Sequence, residues 1–219
     1  MSEHTLVGLV LDGGWVMWAL LVLSLASLAV TVERSWVLRR ARVPVPVLAG
    51  ALGRTLGSAS FPAAALEAVQ RVGGSAGRVL AAGLHRFDRT PVQIETAMER
   101  QGQAELRRLQ RGLGVLASTS VTAPLLGFLG TVTGMIASFG ALADWGTTNP
   151  ALVAEGIEEA LITTAAGLAV AVPVHLIHGV LSSRVSRIVN DIEDLAHLLL
   201  DLRERRETGT GSPVAVSAR

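Results

Sequence analysis

The sequence predicts an all-α membrane protein with three transmembrane helices. Three long uncharged, largely apolar stretches run from Gly13 to Val32, from Gly112 to Ala143 and from Ala160 to Ser183. Each has at least the roughly 20 residues that a helix needs to cross about 30 Å of hydrocarbon. All 19 basic residues are arginines, and they lie only between the first and second stretches and after the third. Because cytoplasmic segments retain positive charge, we expect the N-terminus outside and the C-terminus inside.

The composition excludes several other classes of protein. Half of the chain is apolar and 17% is charged, which disfavours an ordinary soluble domain. The net charge of +1 gives no global basic field, and no aromatic run accompanies the arginines, so we expect no nucleic-acid partner. The absence of cysteine rules out disulfides, thiolate metal sites and cysteine nucleophiles.

The first transmembrane helix is predicted at 13–36, after an external N-terminal segment at 1–12. No base precedes the apolar run, so we interpret it as a retained anchor and not as a cleaved signal. The run is followed at once by Glu33 and Arg34, which are expected to form an ion pair at the membrane boundary. Trp36 lies where an aromatic belt would sit.

A cytoplasmic helical domain is predicted at 37–111. Pro44 and Pro46 should end the first helix, because proline interrupts the backbone hydrogen bonding of a helix. Further along, Thr90 before Pro91 has the pattern of a capped helix start. Apolar residues then recur at helical spacing, so this helix is expected to run without interruption into the second transmembrane helix.

The second and third transmembrane helices are predicted at 112–143 and 156–183, joined by a short external loop at 144–155. The third helix could also start as early as Ala151, after Asn149-Pro150. Helical spacing continues as a cytoplasmic helix at 184–206. The tail at 207–219 has no periodicity and is expected to be disordered.

The second apolar stretch carries a stripe of small and polar residues. Stepping at helical spacing, Pro124, Gly127, Thr131, Gly134 and Ser138 share one face. Two interpretations stay open: a tight helix-packing seam, or the wall of a narrow hydrated pore, which would require an oligomer. Helix packing in this region is assigned to small residues and prolines, namely Pro124, Gly127, Gly130, Gly134, Gly167 and Pro173.

The third stretch begins with acid and hydroxyl groups. Glu159 and Thr163 are four apart and share a face, whereas Thr164 lies partly round the helix. An ionisable group inside a transmembrane helix is costly and is a functional hypothesis by default. The alternative is that Glu159 lies at the headgroup level and only ends the helix.

The sequence contains no convincing metal-binding or catalytic motif. His175 and His178 are three apart but have no third ligand nearby, so we expect no metal site. No nucleophile elbow, phosphate loop or carboxylate dyad is present in the sequence, so we expect no enzyme.

Two longer segments resemble a known family. PLLGFLGTVTGMIASFGAL at 124–142 and GIEEALITTAAGLAVAVP at 156–173 resemble the best-preserved stretches of the MotA/TolQ/ExbB proton-channel family. The first apolar stretch resembles that family's first transmembrane helix, including the Glu-Arg at its end. Three transmembrane helices with one short cytoplasmic domain are similar to the TolQ/ExbB branch.

The resemblance implies an inner-membrane proton-channel and stator subunit that uses the proton motive force to work on a partner complex. It implies a pentamer around a dimer of a single-span ExbD/TolR-type partner with a membrane aspartate, and a TonB/TolA-type protein beyond. Protons would be the coupling ion, with no cofactor. The family's pore threonines match Thr131 and Thr164, and its glutamate matches Glu159. Glu158 and Thr163 depart from the family's usual small residues, so whether Thr163 or Thr164 faces the pore stays open. The predicted pore residues are Thr131, Ser138, Glu159, Thr163 and Thr164. A non-conducting scaffold is the alternative function.

Overall fold

The structure is a computed structural model that describes residues 13–56, 58, 60–145 and 150–207. These residues form helices and turns and no strand. The helices are α1 (Gly14–Ala41), α2 (Val45–Thr55), α3 (Ala63–Val72), α4 (Gly74–Leu84), α5 (Pro91–Gln110), α6 (Leu113–Trp145) and α7 (Pro150–Glu207). The predicted N-terminal segment at 1–12, residues 146–149 of the predicted loop at 144–155, and the predicted tail apart from its first residue lie outside the described residues.

The contacts divide the chain into two compact units. One contains the chain up to Arg34 together with Gly112–Val180. The other contains Ser35–Arg111 and the chain from Leu181 onward. The first unit therefore holds the apolar parts of α1, α6 and α7. The second holds the end of α1 from Ser35 onward, α2–α5 and the polar part of α7.

The first unit confirms the prediction of an all-α protein with three helices that are long and apolar enough to cross a membrane. Its core joins all three helices: Val16 and Leu20 of α1 pack with Ala123 of α6 and Ala171 of α7. Large apolar side chains elsewhere on these helices, such as Val22, stay exposed. Exposed apolar surface of this extent is typical of a lipid-facing protein.

Proline determines the end of the first helix and the start of the next. Helix α1 ends at Ala41, and α2 begins after Pro44 with Pro46 in its first turn. Proline suits these positions because the first N–H groups of a helix have no intrahelical partner. The predicted break after the first helix is therefore confirmed.

Helix α7 is a single helix of 58 residues that contains both the third apolar stretch and its predicted continuation. It begins at Pro150, which is close to the earlier of the two starts that the sequence allowed. Pro173 lies inside it and Pro124 lies inside α6. Because the helix begins early, Glu159 lies in its third turn and not at its end.

The prediction of one uninterrupted helix from Pro91 into the second apolar stretch is wrong. Helix α5 ends at Gln110, and α6 begins at Leu113. Gly112 between them has φ +82, a backbone conformation in which a residue with a side chain would be strained. A Cβ at this position would also lie 3.3 Å from the Val30 side chain.

The second unit is a helical domain with its own core. Thr90 caps α5 by accepting a hydrogen bond from the backbone N–H of Gln93, as the sequence predicted. Gly83 of α4 lies where a Cβ would be 2.7 Å from Met98 Sδ of α5 and 2.9 Å from Leu199 of α7. These three helices therefore pack closely around one point.

Candidate functional site

The glycines of α6 pack directly on the backbone of α7. A Cβ on Gly127 would lie 2.9 Å from the Thr163 carbonyl oxygen and 3.0 Å from the Thr164 Cα. A Cβ on Gly167 would lie 2.6 Å from the Ala123 carbonyl oxygen and 3.1 Å from the Gly127 Cα. Glycine lets the two backbones approach this closely because it adds no side chain at the contact, as in small-residue contacts of membrane proteins.

The contact continues outward along both helices. Gly130 faces the Thr163 side chain so closely that a Cβ would overlap its hydroxyl. A Cβ on Gly134 would lie 3.0 Å from the carbonyl oxygen of Gly156. Four of the predicted packing glycines thus meet α7 or α6 backbone or β-carbon atoms, while the exposed Pro173 does not take part in these glycine contacts.

The two adjacent threonines of α7 have different environments. Thr163 is 1% exposed, and its Oγ1 donates to the Ala160 carbonyl oxygen at 2.8 Å. Thr164 is half-buried, and its Oγ1 donates across the helix contact to the Gly127 carbonyl oxygen at 3.0 Å. Within one subunit, Thr164 keeps accessible surface and Thr163 has almost none.

The hydroxyls of α6 donate back along their own helix. Thr131 is half-buried, and its Oγ1 donates to the Phe128 carbonyl oxygen at 2.6 Å. Ser138 is buried, and its Oγ donates to the Gly134 carbonyl oxygen at 2.9 Å. Each hydroxyl that donates its proton in this way still has lone pairs that accept hydrogen bonds.

Glu159 lies against the start of the first helix. Its carboxyl occupies the space that a Cβ on Gly14 would fill, and Gly14 has φ +64. Glu159 is half-buried, whereas the neighbouring Glu158 is exposed. Two acids of the same helix turn are therefore held in different surroundings.

About two turns before the end of α1, Glu33 and Arg34 form an ion pair. The Arg34 side chain is 8% exposed and that of Glu33 is 59% exposed. The structure also shows Pro124 half-buried within α6. The pore and boundary roles of these residues stay predictions.

Sequence reasoning missed two features of this unit. One is the contact of Gly14 with Glu159, for which the sequence carries no signal because the two residues are far apart in the chain. Thr119 is 1% exposed, and its Oγ1 has no hydrogen-bond partner among the described residues. Its position in the hydroxyl-rich run before Pro124 was the available signal.

A charged pair in the second unit was also missed. Arg78 donates to both carboxyl oxygens of Glu105 at 2.6 Å, joining α4 to α5. Burial by itself raises the pKa of the Glu105 carboxyl, but hydrogen bonds and charge attraction from Arg78 outweigh it, so that the pKa lies below its ordinary value. The bidentate pair is the strong form of an Arg–carboxylate contact.

The sequence of this chain is similar to those of a known family. The model of the MotA/TolQ/ExbB proton channel family matches residues 73–194. A putative biopolymer transport protein ExbB homolog of Methanothermobacter thermautotrophicus is 31% identical over 83% of this chain and 64% of its own length. A putative ExbB-like biopolymer transport protein of Synechocystis is 36% identical over 81% of this chain and 70% of its own length.

A biopolymer transport protein ExbB of Pseudomonas putida is 38% identical over 55% of this chain and 36% of its own length. This chain therefore spans from about a third to somewhat over two thirds of these relatives. The family match covers more than half of the chain and includes most of α6 and α7, whose close packing is described above. Together with three membrane-length apolar helices, these similarities show that the chain belongs to the MotA/TolQ/ExbB proton channel family, in its ExbB branch, and is an inner-membrane protein.

Proposed function

We propose that the chain is a proton-channel and stator subunit of the TolQ/ExbB type, which couples the proton motive force to mechanical work on a partner complex. The observation that carries the proposal is Glu159, an acid held half-buried in the third turn of an apolar helix in a member of a proton channel family. An acid in such a position is costly, so it is expected to serve a function.

In this proposal the two half-buried threonines hold water along the proton path. Thr131 and Thr164 each donate their hydroxyl proton to a backbone carbonyl. Their remaining lone pairs can then accept from water, which orders a chain of molecules without consuming the threonine donors. Glu159 regulates proton access from the external side.

The assembly has to be an oligomer with a partner. Three helices are too few to enclose a water-filled path, so several copies are needed, and we propose the pentamer typical of the family. Its axis would hold a single-span ExbD/TolR-type partner that supplies a membrane aspartate, with a TonB/TolA-type protein as the next component. The names of the relatives, biopolymer transport proteins, support a role in energising transport.

Few protons are needed for each mechanical step. Moving one elementary charge through 100 mV releases about 2.3 kcal/mol. That energy is comparable to the net contribution of one or two hydrogen bonds, so we expect a small rotation or rocking movement of the partner to be driven by a few protons at most.

One observation favours a non-conducting scaffold as the second candidate. The hydroxyls of Thr163 and Ser138 are buried and already bonded within their own helices. Beside them, Gly130 packs on the Thr163 side chain and Gly134 lies against the Gly156 backbone. Packing alone explains this part of the contact between α6 and α7, and a scaffold requires nothing further.

The test measures proton flux into vesicles that contain the full chain with its single-span partner and a pH-sensitive dye. We expect Glu159→Gln to lower the flux by about tenfold or more, because the carboxyl group that regulates proton access is lost. Glu158→Gln is the matched control, since it removes the same charge from the exposed neighbour, and it should change the flux by less than about twofold. Size-exclusion chromatography should show intact oligomers for both variants.

Two results would contradict the proposal. Wild-type complexes that conduct no protons in the presence of the partner would favour the scaffold. Glu159→Gln complexes that fall apart would assign this residue a structural role.

A further inference from the structure

A cleft of about 630 Å³ in the second unit is lined by four arginines. Arg39 lies in the last turn of α1 and Arg42 directly follows that helix, while Arg184 and Arg187 lie one turn apart on α7. No acidic residue lines the cleft among the described residues. The cleft therefore concentrates positive charge contributed by two separate segments of the chain.

The positive charge is not neutralised within the described part of the chain. None of the ion pairs found there involves the four arginines. Arg187 Nε donates to the Ser183 carbonyl oxygen at 3.4 Å, a neutral acceptor. By contrast, Arg40 stacks over the Trp36 ring at 4.6 Å and does not line the cleft. Four guanidinium groups around one space repel each other unless an anion lies between them.

The chemistry of the lining identifies the anion. Guanidinium groups bind phosphate oxygens in a bidentate manner, so four of them suit a ligand with one or two phosphodiesters. The apolar part of the lining comes from Leu38 and Ile188, both almost fully buried, and from Pro44. An apolar floor offers nothing to a fully hydrated inorganic ion, but it suits the glycerol and first acyl carbons of a lipid.

The position of the arginines in the sequence agrees with a lipid. Arg184 is the first charged residue after the apolar stretch that ends at Ser183, and Arg39 follows the end of the first stretch by two helical turns. Arginines at these positions mark the cytoplasmic leaflet, whose anionic lipids bind in basic pockets between transmembrane helices.

We propose that this cleft binds the headgroup of an anionic phospholipid of the cytoplasmic leaflet, with a two-phosphate headgroup as the best match to the four arginines. The site is separate from the proton path, and its test measures no proton flux. A failure here therefore leaves the proposed channel untouched.

The experiment measures the affinity of the purified full chain in neutral-lipid nanodiscs for a fluorescent cardiolipin and a fluorescent phosphatidylglycerol. The test variant is the double substitution Arg42→Gln/Arg184→Gln. Each arginine near a membrane surface changes the affinity for anionic lipid by about fivefold, so the double variant should bind about 25-fold more weakly. Arg40→Gln is the control for general charge and should change the affinity by less than about twofold, because Arg40 lies outside the cleft.

The remaining arms separate the possible sources of the phosphate. We expect cardiolipin to bind more tightly than phosphatidylglycerol, and inorganic phosphate at millimolar concentration not to displace either lipid. Displacement by inorganic phosphate would overturn the lipid proposal. Equal losses in Arg40→Gln and in the double variant would also overturn it, since they would reflect diffuse charge. If the double variant does not fold, the single variants of the exposed Arg39 and Arg187 replace it, with an expected loss of about fivefold each.

Discussion

Substitution of Gly167 by alanine should separate the two most closely packed helices of the first unit. The new Cβ would lie 2.6 Å from the Ala123 carbonyl oxygen, whereas ordinary contacts begin at 3.4 Å, so the backbones must move apart by about 0.8 Å or more. The atoms that it meets belong to backbone, which cannot rotate out of the way as a flexible side chain could. A shift of this size also stretches the hydrogen bond from Thr164 Oγ1 to the Gly127 carbonyl oxygen, now 3.0 Å.

The expected cost follows from three contributions. Overpacking of a close contact costs about 1–3 kcal/mol. Loss of an interhelical hydrogen bond in a membrane adds about 0.6 kcal/mol. Alanine in place of glycine favours the helix by about 1 kcal/mol. The net destabilisation of the Gly167→Ala chain is therefore about 0.6–2.6 kcal/mol.

Reversible unfolding in mixed micelles with increasing dodecyl sulfate gives this free energy, with helical circular dichroism as the signal. Gly179→Ala is the matched control on the same helix, since a Cβ there has nothing within 4 Å. It should be neutral or stabilising by up to about 1 kcal/mol. Equal unfolding free energies for the two variants would refute the inference that backbone contact at Gly167 holds α6 against α7.

Three further predictions concern other contacts. Gly14→Ala should displace the Glu159 carboxyl and strain a positive φ, lowering proton flux in vesicles by several-fold; unchanged flux would show that this placement is irrelevant. Glu105→Gln should cost about 1–2 kcal/mol at neutral pH in thermal unfolding, because Arg78 loses its charged acceptor. The pKa of the Glu105 carboxyl is lower in the folded chain than in the unfolded chain. The contribution of the pair to the free energy of unfolding is therefore present above the unfolded pKa and disappears as the pH falls through the folded pKa. A Glu105→Gln variant with the acid sensitivity of the wild type would contradict the assignment. Thr164→Val should cost about 0.6 kcal/mol in the micelle assay, and no change would indicate that its interhelical bond is replaced by water.

The sequence was most informative where one physical requirement acts over many neighbouring residues. A membrane of fixed thickness imposes the length of an apolar helix, so the three apolar helices could be predicted from run length alone. Local chemistry also sufficed at Thr90 and Pro91, where the cap and the first-turn proline are adjacent. The break between α5 and α6 was missed because its signal is a single glycine, Gly112, among residues that suit a helix.

The candidate site could be predicted less completely from the sequence than the fold, because its contacts join residues that are far apart in the chain. The sequence singled out both Gly127 and Thr164, but the hydrogen bond between them depends on how two helices pack. The same holds for the contact of Glu159 with Gly14. The Arg78–Glu105 pair was overlooked because charges at helical spacing usually lie on a solvated face, whereas here the Glu105 side chain is 5% exposed.

A density map of the assembled complex in a lipid environment tests the central claim most directly. We predict a ring of identical subunits in which Glu159, Thr131 and Thr164 border one shared cavity that contains water and the membrane helix of the partner. A map in which these three side chains contact lipid, or in which the subunits enclose no common space, would contradict it.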